Sequence, residues 1–519
     1  MFGRLIDLGG FGLGAAAALA RNGLLAPVHP SALARVVEAY RHFHLTPATG
    51  LAAAAARWPD RPAVLDEDGT LTFAELDARA AALASALHHR LGLGPGHTVA
   101  VMWPNHRGFA EAVAAVSRLG ADLLLLNTGL AGPRLRDVLR REAVHALIAD
   151  PALPHVGFDG PRTGDLDKLI KENGSATAPA PRRPGRLVLL TSGTTGVPKG
   201  APRRLSPAAV AEPFLSMLAT VPIRSGEPML IAPPLFHGLG LLWYAAALVL
   251  GCPVVLMRRF DPQSVLDALD RHRAGALVAV PVMLKRLLTC DPRPLPHLRA
   301  VVSGGSALRP DLATAFMNTY GDVLHNLYGS TEAGWAALAT PAELRAAPGT
   351  VGRPPRGATV RIAGPDGREQ PAGEVGRVLV GGGLTFGAGT RTGTGPDGLL
   401  ATGDLGHRDR RGLLFIDGRD DDMIVSGGEN VFPQEVENVL ARVPGVADVA
   451  VLGVPDEEYG QRLTAYVVTD DGARLSADGL RRAVKEELAG FKVPRDVEFV
   501  ASVPRNQTGK VDRDRLVRG

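Results

Sequence analysis

The sequence predicts an α/β protein whose large N-terminal part precedes a smaller C-terminal α/β domain. From about residue 48, helical patterns alternate with short apolar runs, which predicts parallel strands joined by helices. Over 357–419 the pattern changes to short alternating strands with hairpin turns, which predicts an antiparallel β subdomain. The residues after 419 again combine helices and strands, and about 100 residues suffice for a separate domain.

The individual elements of the large part can be read in chain order. The run "LTFAELDARAAALASALHHRLG" is amphipathic, and Thr72 with Glu75 predicts a capping box at its start. "HTVAVMWPN" predicts a strand and a turn, and "FAEAVAAVSRLGAD" predicts a helix. The segment 228–257 carries no full charge, but its prolines and glycines divide it into a strand, a helix over Leu239 to Leu250 and a second strand, so we do not expect a membrane span.

Later elements follow the same logic. "TVRIAGPDGRE", "GRVLVGG" and "GLLFIDGR" predict the antiparallel strands, and "APAPRRPGR" is a candidate linker. "PQEVENVLARVPGV" and "LRRAVKEELAG" predict helices of the small domain, whose strands are "ADVAVLGVP" and "RLTAYVVT". We place the hinge near residues 420–422, and we predict a division into 1–47, 48–420 and 421–519.

Composition excludes several classes of function. The net charge is +4 over 519 residues, and no basic run is interleaved with aromatic residues, which argues against nucleic-acid binding. Cys252 and Cys290 have no metal-like spacing, so we expect buried thiols in a cytoplasmic protein.

The stretch Leu8 to Ala20 is too short to cross a bilayer, and its glycines and Asp7 weaken a signal-peptide interpretation. We expect residues 1–47 to be an extension that can contact a membrane.

Four polar loops follow apolar strands or lie near the C-terminus. The first is "LLTSGTTGVPKG", residues 189–200, whose glycine amides, hydroxyls and Lys199 suit a phosphate, although a flexible surface turn is the alternative. It is not a Walker A loop, because Pro198 rather than glycine precedes Lys199. The others are "NLYGSTEAG", "LLATGDLGHRD" and "PRNQTGKVDR". Each of these motifs alone is weak evidence of function, because Tyr328 can be a core residue and Glu332 can be a solvated surface residue.

Together and in this order, these motifs resemble those of the adenylate-forming superfamily, which includes acyl-CoA synthetases, firefly luciferase and peptide-synthetase adenylation domains. The resemblance runs from about Ala48 to Arg515, and "GRDDDMIVSGGENVFPQEVE" and "PRNQTGK" are most similar to bacterial long-chain fatty acyl-CoA synthetases. It implies two doubly wound βαβ subdomains, an antiparallel β subdomain and a small mobile C-terminal domain.

The resemblance also implies a role for each motif residue. ATP or AMP would be bound by residues of all four loops, of the segment "VVSGGSAL" and by Arg419: Thr191, Ser192, Gly193, Thr194, Thr195, Gly196, Lys199, Gly304, Gly305, Ser306, Tyr328, Gly329, Ser330, Thr331, Asp404, Arg419 and Lys510. Catalysis would involve Lys510, His237, Thr194, Lys199 and Glu332, with Glu332 also binding Mg²⁺. Ser426, Gly427, Gly428 and Glu429 would form the CoA side, and Asp421 the hinge. Without the resemblance, His237 would be interpreted as a residue that starts a helix.

The implied reaction is ATP-dependent fatty acyl-CoA synthesis through an acyl-adenylate, with ATP, Mg²⁺ and CoA and no redox cofactor. Transfer of the acyl group to a carrier protein, luciferase-like oxidation and a catalytically weak nucleotide-binding homologue are the alternatives. Because "HGLGLLWY", "AVPVML" and "VVSGGSAL" are apolar, a fatty acid is favoured over a dicarboxylic or amino acid. One departure is the stretch before Asp404, where the family's aromatic "GY" pattern is absent. A homodimer is also compatible with the resemblance.

Overall fold

The structure is a computed structural model. It describes residues 19–24, 28–130, 132–153, 157–172, 177–191, 199–203, 207–330, 332–383, 385, 398–420, 423–426, 429–456, 460–506, 510–512 and 515–516. For residues 191, 199–203, 207–209, 425, 426, 429, 430 and 460 it describes the backbone alone. Within the described residues the chain divides into two compact units, Met1–Ala279 with Arg286–Val302 and Val280–Lys285 with Ser303–Gly519.

Helices and strands alternate through the first half of the chain. The helices there are α1 (Pro30–Phe43), α2 (Pro47–Arg57), α3 (Phe73–Leu91), α4 (Arg107–Arg118), α5 (Gly132–Arg141), α6 (Leu166–Glu172), α7 (Pro207–Thr220), α8 (Gly238–Leu250), α9 (Pro262–Arg271) and α10 (Pro281–Leu287). The strands are β1 (Pro62–Asp66), β2 (Gly69–Thr72), β3 (Thr98–Met102), β4 (Asp122–Leu125), β5 (Val144–Ala149), β6 (Arg162–Thr163), β7 (Leu187–Thr191), β8 (Lys199–Arg203), β9 (Met229–Ile231), β10 (Val254–Val255), β11 (Ala276–Ala279) and β12 (Ala300–Gly304).

Strands dominate the second half. They are β13 (Leu324–Ser330), β14 (Gly334–Ala339), β15 (Thr350–Gly352), β16 (Ala358–Ala363), β17 (Gly376–Gly382), β18 (Leu400–Arg408), β19 (Leu414–Arg419), β20 (Ile424–Ser426), β21 (Glu429–Val431), β22 (Val446–Asp456), β23 (Gly460–Thr469) and β24 (Asp496–Phe499). The helices are α11 (Pro310–Tyr320), α12 (Pro341–Ala346), α13 (Pro433–Leu440) and α14 (Ala477–Glu487), with a 3₁₀ turn at Gly490–Lys492.

The first unit contains two mainly parallel arrangements of strands. One sheet has the order β6-β5-β3-β4-β7-β8 and is parallel except for the antiparallel pair β7–β8. In the other, β11, β9, β10 and β1 are parallel neighbours, and β2 pairs antiparallel with β1. Parallel strands need crossover helices, and these supply the apolar faces that cover the sheets. The carboxyl ends of β3 and β9 therefore become places where loops can meet a ligand.

The second unit contains an antiparallel sheet with the order β15-β19-β18-β17-β16. Its apolar face is buried together with alanines of β14, around Val360, Ile362, Val378, Val380 and Leu414. Alternation along these strands leaves the other side chains available for polar roles. The strand β18 carries the "TGD" motif and pairs with β19, so that Asp404 lies opposite Arg419 in the register.

The C-terminal part of the second unit has its own core. Its sheet has the order β21-β20-β23-β22, and β24 adds to β23 in parallel. The helices α13 and α14 pack on this sheet through residues such as Val436, Leu440, Leu480 and Val484, all at most 1% exposed. A second apolar cluster includes Leu452, Tyr466 and Leu516.

The α/β architecture with a large N-terminal and a small C-terminal domain is confirmed, and several predicted elements are confirmed with it. Thr72 and Glu75 form the predicted capping box of α3. The apolar segment 228–257 forms β9, α8 and β10, and no helix among the described residues is long and apolar enough to span a membrane. Cys252 is buried as expected, but Cys290 is only partly buried, because it lies after the turn that follows the short helix α10. The three domain boundaries stay a prediction.

Candidate functional site

The strands β13 and β18 bring three polar side chains of the second unit together. The Tyr328 hydroxyl donates to Asp404 Oδ2 at 2.5 Å and lies 3.3 Å from Thr402 Oγ1. Thr402 donates to the Val378 carbonyl at 3.0 Å and accepts from the Asp404 backbone N–H at 3.1 Å. Thr402 therefore fixes the backbone of Asp404 and also contacts Tyr328, the hydrogen-bond donor to the Asp404 carboxyl.

The glycine of the "TGD" motif lies directly before Asp404 within β18, where the register with β17 is irregular. Gly403 has φ +78°, and a Cβ there would lie 3.0 Å from Arg419 Nη2. A side chain at this position would thus be strained and would also press on the guanidinium. Arg419 Nη1 lies 3.4 Å from Asp404 Oδ1, so the carboxylate is paired with a cation on its second oxygen.

Burial and charge act in opposite directions on the Asp404 carboxyl. Burial raises the pKa of Asp404 above its ordinary value, while the Tyr328 hydroxyl and the cations Arg419 and Lys510 partly counteract this. The pKa of Tyr328 is also raised, first by burial and then by the negative charge of Asp404, so the hydroxyl remains a donor. The arrangement is a carboxylate that is held in place, and each of its oxygens keeps capacity to accept a further hydrogen bond from a ligand hydroxyl.

Lys510 occupies a tight turn near the end of the chain. Its backbone N–H donates to Asn506 Oδ1 at 3.0 Å, and the Asn506 N–H donates to the Lys510 carbonyl at 2.8 Å. The residue is exposed, and its charge reaches Asp404 closely enough to lower the pKa of that carboxyl. The structure thus brings Tyr328, Asp404, Arg419 and Lys510 to one region, although almost 200 residues separate the first from the last.

The remaining predicted residues of the second unit lie in two loops. Gly304 ends β12, Gly305 has φ +88°, and Ser306 is partly exposed. Gly329 and Ser330 end β13, and Glu332 lies partly exposed in the turn before β14. The Ser330 hydroxyl accepts from the Ala333 N–H at 2.9 Å and stabilises this turn. A partly exposed carboxylate such as that of Glu332 is a suitable oxygen ligand for Mg²⁺ shared with phosphate groups.

His237 lies in the first unit, at the N-cap position of α8, but its side chain makes no capping hydrogen bond. Its Nε2 is buried and has no hydrogen-bond partner among the described residues. Burial lowers the pKa of His237 to about 4, so the imidazole is neutral near pH 7. A buried polar atom normally has a hydrogen-bond partner. Because the His237 side chain does not cap α8, its unpaired ring nitrogen favours a contact with a ligand over a purely structural role at the start of the helix.

The phosphate-loop prediction is only partly covered by the structure. Thr191 and Lys199 are register partners at the ends of the antiparallel pair β7–β8, so the loop connects these two strands. Ser426 and Glu429 are likewise partners across β20 and β21. Nine predicted site residues lie outside the described residues: Ser192, Gly193, Thr194, Thr195, Gly196, Thr331, Asp421, Gly427 and Gly428.

The sequence did not single out two residues that position predicted site residues, Thr402 in the second unit and Asn105 in the first. Thr402 stands next to the chosen Asp404, and its position in "TGD" was a usable signal. Asn105 directly follows the apolar run "TVAVMWP" at the carboxyl end of β3, which is the same signal that singled out the glycine loops. Its contacts lie with the segment that leads to His237.

Comparison with known proteins agrees with these motifs. The family model for AMP-binding enzymes matches residues 51–387, and the model for the C-terminal domain of AMP-binding enzymes matches residues 435–510. An indoleacetate–CoA ligase from Aromatoleum aromaticum is 33% identical over 499 residues, covering 88% of this chain and 96% of the relative. A feruloyl-CoA synthase from Amycolatopsis is 34% identical, with the same coverage. A fatty acid–[acyl-carrier-protein] ligase from Streptomyces coeruleorubidus is 33% identical and covers 88% of this chain and 93% of the relative.

Solved structures show the same architecture. The o-succinylbenzoate CoA synthetase of Bacillus subtilis, in complex with its acyl-adenylate intermediate, superposes with a TM-score of 0.80 at 30% identity and covers 90% of this chain and 97% of its own. The same enzyme in complex with ATP and magnesium ion gives a TM-score of 0.78 at 29% identity, with coverage of 90% and 99%. Because the family models and these relatives span most of the chain, the protein belongs to the AMP-binding enzyme family of the adenylate-forming superfamily.

Proposed function

We propose that this protein is an ATP-dependent acid–CoA ligase that activates its acid as an acyl-adenylate. The observation that carries the proposal is the meeting of Lys510 with Tyr328, Asp404 and Arg419. A carboxylate acceptor for ribose hydroxyls and an exposed cation in the same region suit the transfer of an adenylyl group. The relatives support it, since three of the four enzymes compared above are named as CoA ligases, synthases or synthetases.

The first half-reaction joins two anions. The acid's carboxylate oxygen attacks the α-phosphorus of ATP, the bond between that phosphorus and the bridging oxygen breaks, and pyrophosphate leaves with the electron pair. In the proposal, Asp404 with Arg419 holds the ribose and Lys510 neutralises charge between the carboxylate and the α-phosphate. Lys199, with Thr191 and Thr194, contacts the phosphates. Glu332 would hold Mg²⁺, which supplies charge neutralisation at the phosphates when bound.

The second half-reaction forms the thioester. The thiolate of CoA attacks the acyl carbonyl carbon, and the bond to the AMP oxygen breaks. The nucleophile is the sulfur of CoA, so no cysteine of the protein is needed, and burial raises the pKa of Cys252 to about 12, which makes that thiol unreactive. The residues Ser426 to Glu429 lie on the CoA side in this proposal. Rotation of the small domain about Asp421 would withdraw Lys510 and admit CoA.

The acid we propose is a fatty acid. The helix α8 is apolar throughout, and Trp243 and Leu250 on it are fully buried, so no charged group of this helix could read a second carboxylate. An aromatic acid is the second candidate, because indoleacetate and ferulate appear in the names of two relatives. Transfer to a carrier protein instead of CoA is the alternative that the name of the Streptomyces coeruleorubidus relative supports.

Pyrophosphate exchange with a panel of acids tests this function. The purified protein is given ATP, Mg²⁺, labelled pyrophosphate and, in turn, fatty acids of several chain lengths, indoleacetate, ferulate and a dicarboxylate. Exchange that depends on a fatty acid, followed by a CoA thioester detected by mass when CoA is added, is the expected result. A thioester on a carrier protein but not on CoA would contradict the assignment as a CoA ligase. The absence of exchange with every acid of the panel would indicate a nucleotide-binding homologue without this activity.

Contact with a membrane, a cytoplasmic location and a homodimer stay predictions. The helix α1 exposes Leu33, Val37 and Tyr40, which recur at helical spacing along one face, and its last turn carries Arg41. This face supports peripheral contact with an anionic surface. Co-sedimentation with anionic vesicles, compared between the wild type and L33S/V37S, tests it: equal sedimentation of the two would contradict the membrane role of this face.

A further inference from the structure

Asn105 is a buried amide that uses both of its functional groups on one neighbouring segment. The residue is 4% exposed, follows β3, and lies in the first unit. Its Nδ2 donates to the carbonyls of Ile231 at 3.1 Å and Pro233 at 2.9 Å, while its Oδ1 accepts from the Leu235 N–H at 2.8 Å. Because the three hydrogen bonds reach residues 231, 233 and 235, they favour the one backbone conformation of this segment in which all three can form.

The segment it holds leads from β9 to His237. It contains Pro233 and Pro234, which have no backbone N–H and so cannot be fixed by a regular ladder of hydrogen bonds. Beyond the Asn105 contacts, the His237 N–H donates to the Pro234 carbonyl at 3.1 Å, which closes a turn directly before α8. The amide of Asn105 therefore sets the path of the backbone that presents the imidazole.

Asn105 is itself anchored on its other side. The next residue but one, Arg107, pairs with Asp66 at the end of β1 through its guanidinium and through a 2.9 Å bond from its backbone N–H. His106 lies 2.8 Å from Asp68 through Nε2, and its Nδ1 accepts from the Gly108 N–H as the cap of α4. The turn thus ties the carboxyl ends of β1, β3 and β9, which belong to two different sheets.

We propose that Asn105 is a positioning residue for acid activation: it holds the 231–237 segment so that the buried Nε2 of His237 faces the carboxylate of the substrate. This rests on the proposed function, in which His237 contacts the acid. Asn105 touches no reacting atom, and it acts through His237 alone. Its removal should then weaken use of the acid and leave use of ATP unchanged.

A double-mutant cycle on Asn105 and His237 tests the proposal. Acid-dependent pyrophosphate exchange is measured for N105A, H237A and N105A/H237A, with KM determined separately for the acid and for ATP. We expect N105A to lower kcat/KM for the acid by about 10-fold in the wild type and by less than about 2-fold in the H237A background, with KM for ATP unchanged. Independent, multiplicative effects of the two changes would overturn the proposal.

The matched control is N22A. Asn22 is 3% exposed in the same unit, and its Nδ2 donates to the Leu218 carbonyl at 2.9 Å, so its removal also costs a buried hydrogen bond of a side-chain amide. A loss of acid use in N22A equal to that in N105A would mean that general destabilisation explains both. Should N105A not fold, N105S enters the same cycle, because its hydroxyl can still donate once.

A second measurement does not depend on turnover. In histidine-labelled protein, with the His237 resonance assigned by H237Q, the wild-type imidazole should not titrate between about pH 6 and 8. In N105A or N105S it should titrate closer to the ordinary value of histidine, because the ring is no longer held in its buried position. An unchanged titration would overturn the positioning role. If the wild type shows no exchange with any acid, the proposed function fails, while this titration still tests whether Asn105 holds His237.

Discussion

The Asp404 carboxyl is held by the Tyr328 hydroxyl and the Arg419 guanidinium, and the Asp404 backbone N–H donates to Thr402 Oγ1. Because burial raises its pKa, Asp404 depends on the Tyr328 hydroxyl and on Arg419 and Lys510 to remain a carboxylate near neutral pH. In the proposed function the ionised form accepts from ribose hydroxyl groups at both of its oxygens, whereas the protonated form has one oxygen that donates instead. ATP affinity should therefore depend on pH in a way that Tyr328 controls.

The change Y328F removes the donor and should move this pH dependence. Without the hydroxyl the pKa of Asp404 rises further, so the carboxylate is lost at a higher pH as the solution is made more acidic. KM for ATP should rise on the acid side at a higher pH in Y328F than in the wild type. The measurement is KM for ATP between about pH 5 and 8. An acid limb that stays in place or moves to lower pH would show that Tyr328 does not stabilise the carboxylate.

His237 gives a second prediction at the scale of single residues. A neutral imidazole that donates to a carboxylate contributes about 1.5–3 kcal/mol, so H237A should lower kcat/KM for the acid by about 10- to 100-fold. KM for ATP should stay within about 2-fold of the wild-type value. The control is H272A, because His272 is a partly buried histidine outside this segment. Equal losses of kcat/KM for the acid in both variants would contradict a direct contact between His237 and the acid.

The roles of these residues differ in how far the sequence could predict them. Asp404, Tyr328 and Lys510 stand in motifs, so the sequence indicated them, and the structure brings them together. Asn105 and Thr402 act through backbone groups of distant segments, such as the carbonyls of Pro233 and Val378. A pattern of residue types carries no information on which carbonyl will lie beside which amide, so these contacts needed coordinates.

At the scale of elements, the pair β18–β19 contains a titratable contact of its own. His407 Nδ1 lies 2.8 Å from Asp417 Oδ2, and its ring stacks on Phe415 with centroids 5.0 Å apart. The hydrogen bond to Asp417 raises the pKa of His407 above its ordinary value. This contact stabilises the same strand pair that places Asp404 opposite Arg419.

The change D417N should alter how stability depends on pH. Since the folded-state pKa of His407 is raised, its contribution is fully present below the unfolded value of about 6.5 and is lost as pH rises through the folded value. The wild type should therefore unfold at a higher temperature than D417N at pH 6, by an amount that reflects less than about 1 kcal/mol, and the difference should shrink by pH 9. A difference that is the same at both pH values would contradict this assignment.

Most elements were predictable, and the reasons are local. The capping box of α3 and the division of segment 228–257 follow from residue types a few positions apart. The order of strands was not predictable: β1, near the N-terminus, pairs with β10, which lies almost 200 residues later. Such pairings depend on contacts that no window of sequence contains, whereas helix caps and turns depend on their immediate neighbours.

At the scale of the whole molecule, the proposed reaction consists of two half-reactions, adenylation of the acid and formation of the thioester. The turn that carries Lys510 belongs to the small C-terminal domain, which in this account contributes the lysine to the first half-reaction only. The two half-reactions should consequently respond differently to the loss of this one side chain.

The change K510A tests this central claim most directly when both half-reactions are measured on the same preparation. Acid-dependent pyrophosphate exchange should fall by about 100-fold or more, because a charge that stabilises the transition state is lost. Thioester formation from supplied acyl-AMP and CoA should stay close to the wild-type rate. K485A, which changes an exposed lysine on α14, should affect neither reaction. Normal pyrophosphate exchange by K510A, or equal loss of both half-reactions, would contradict the account.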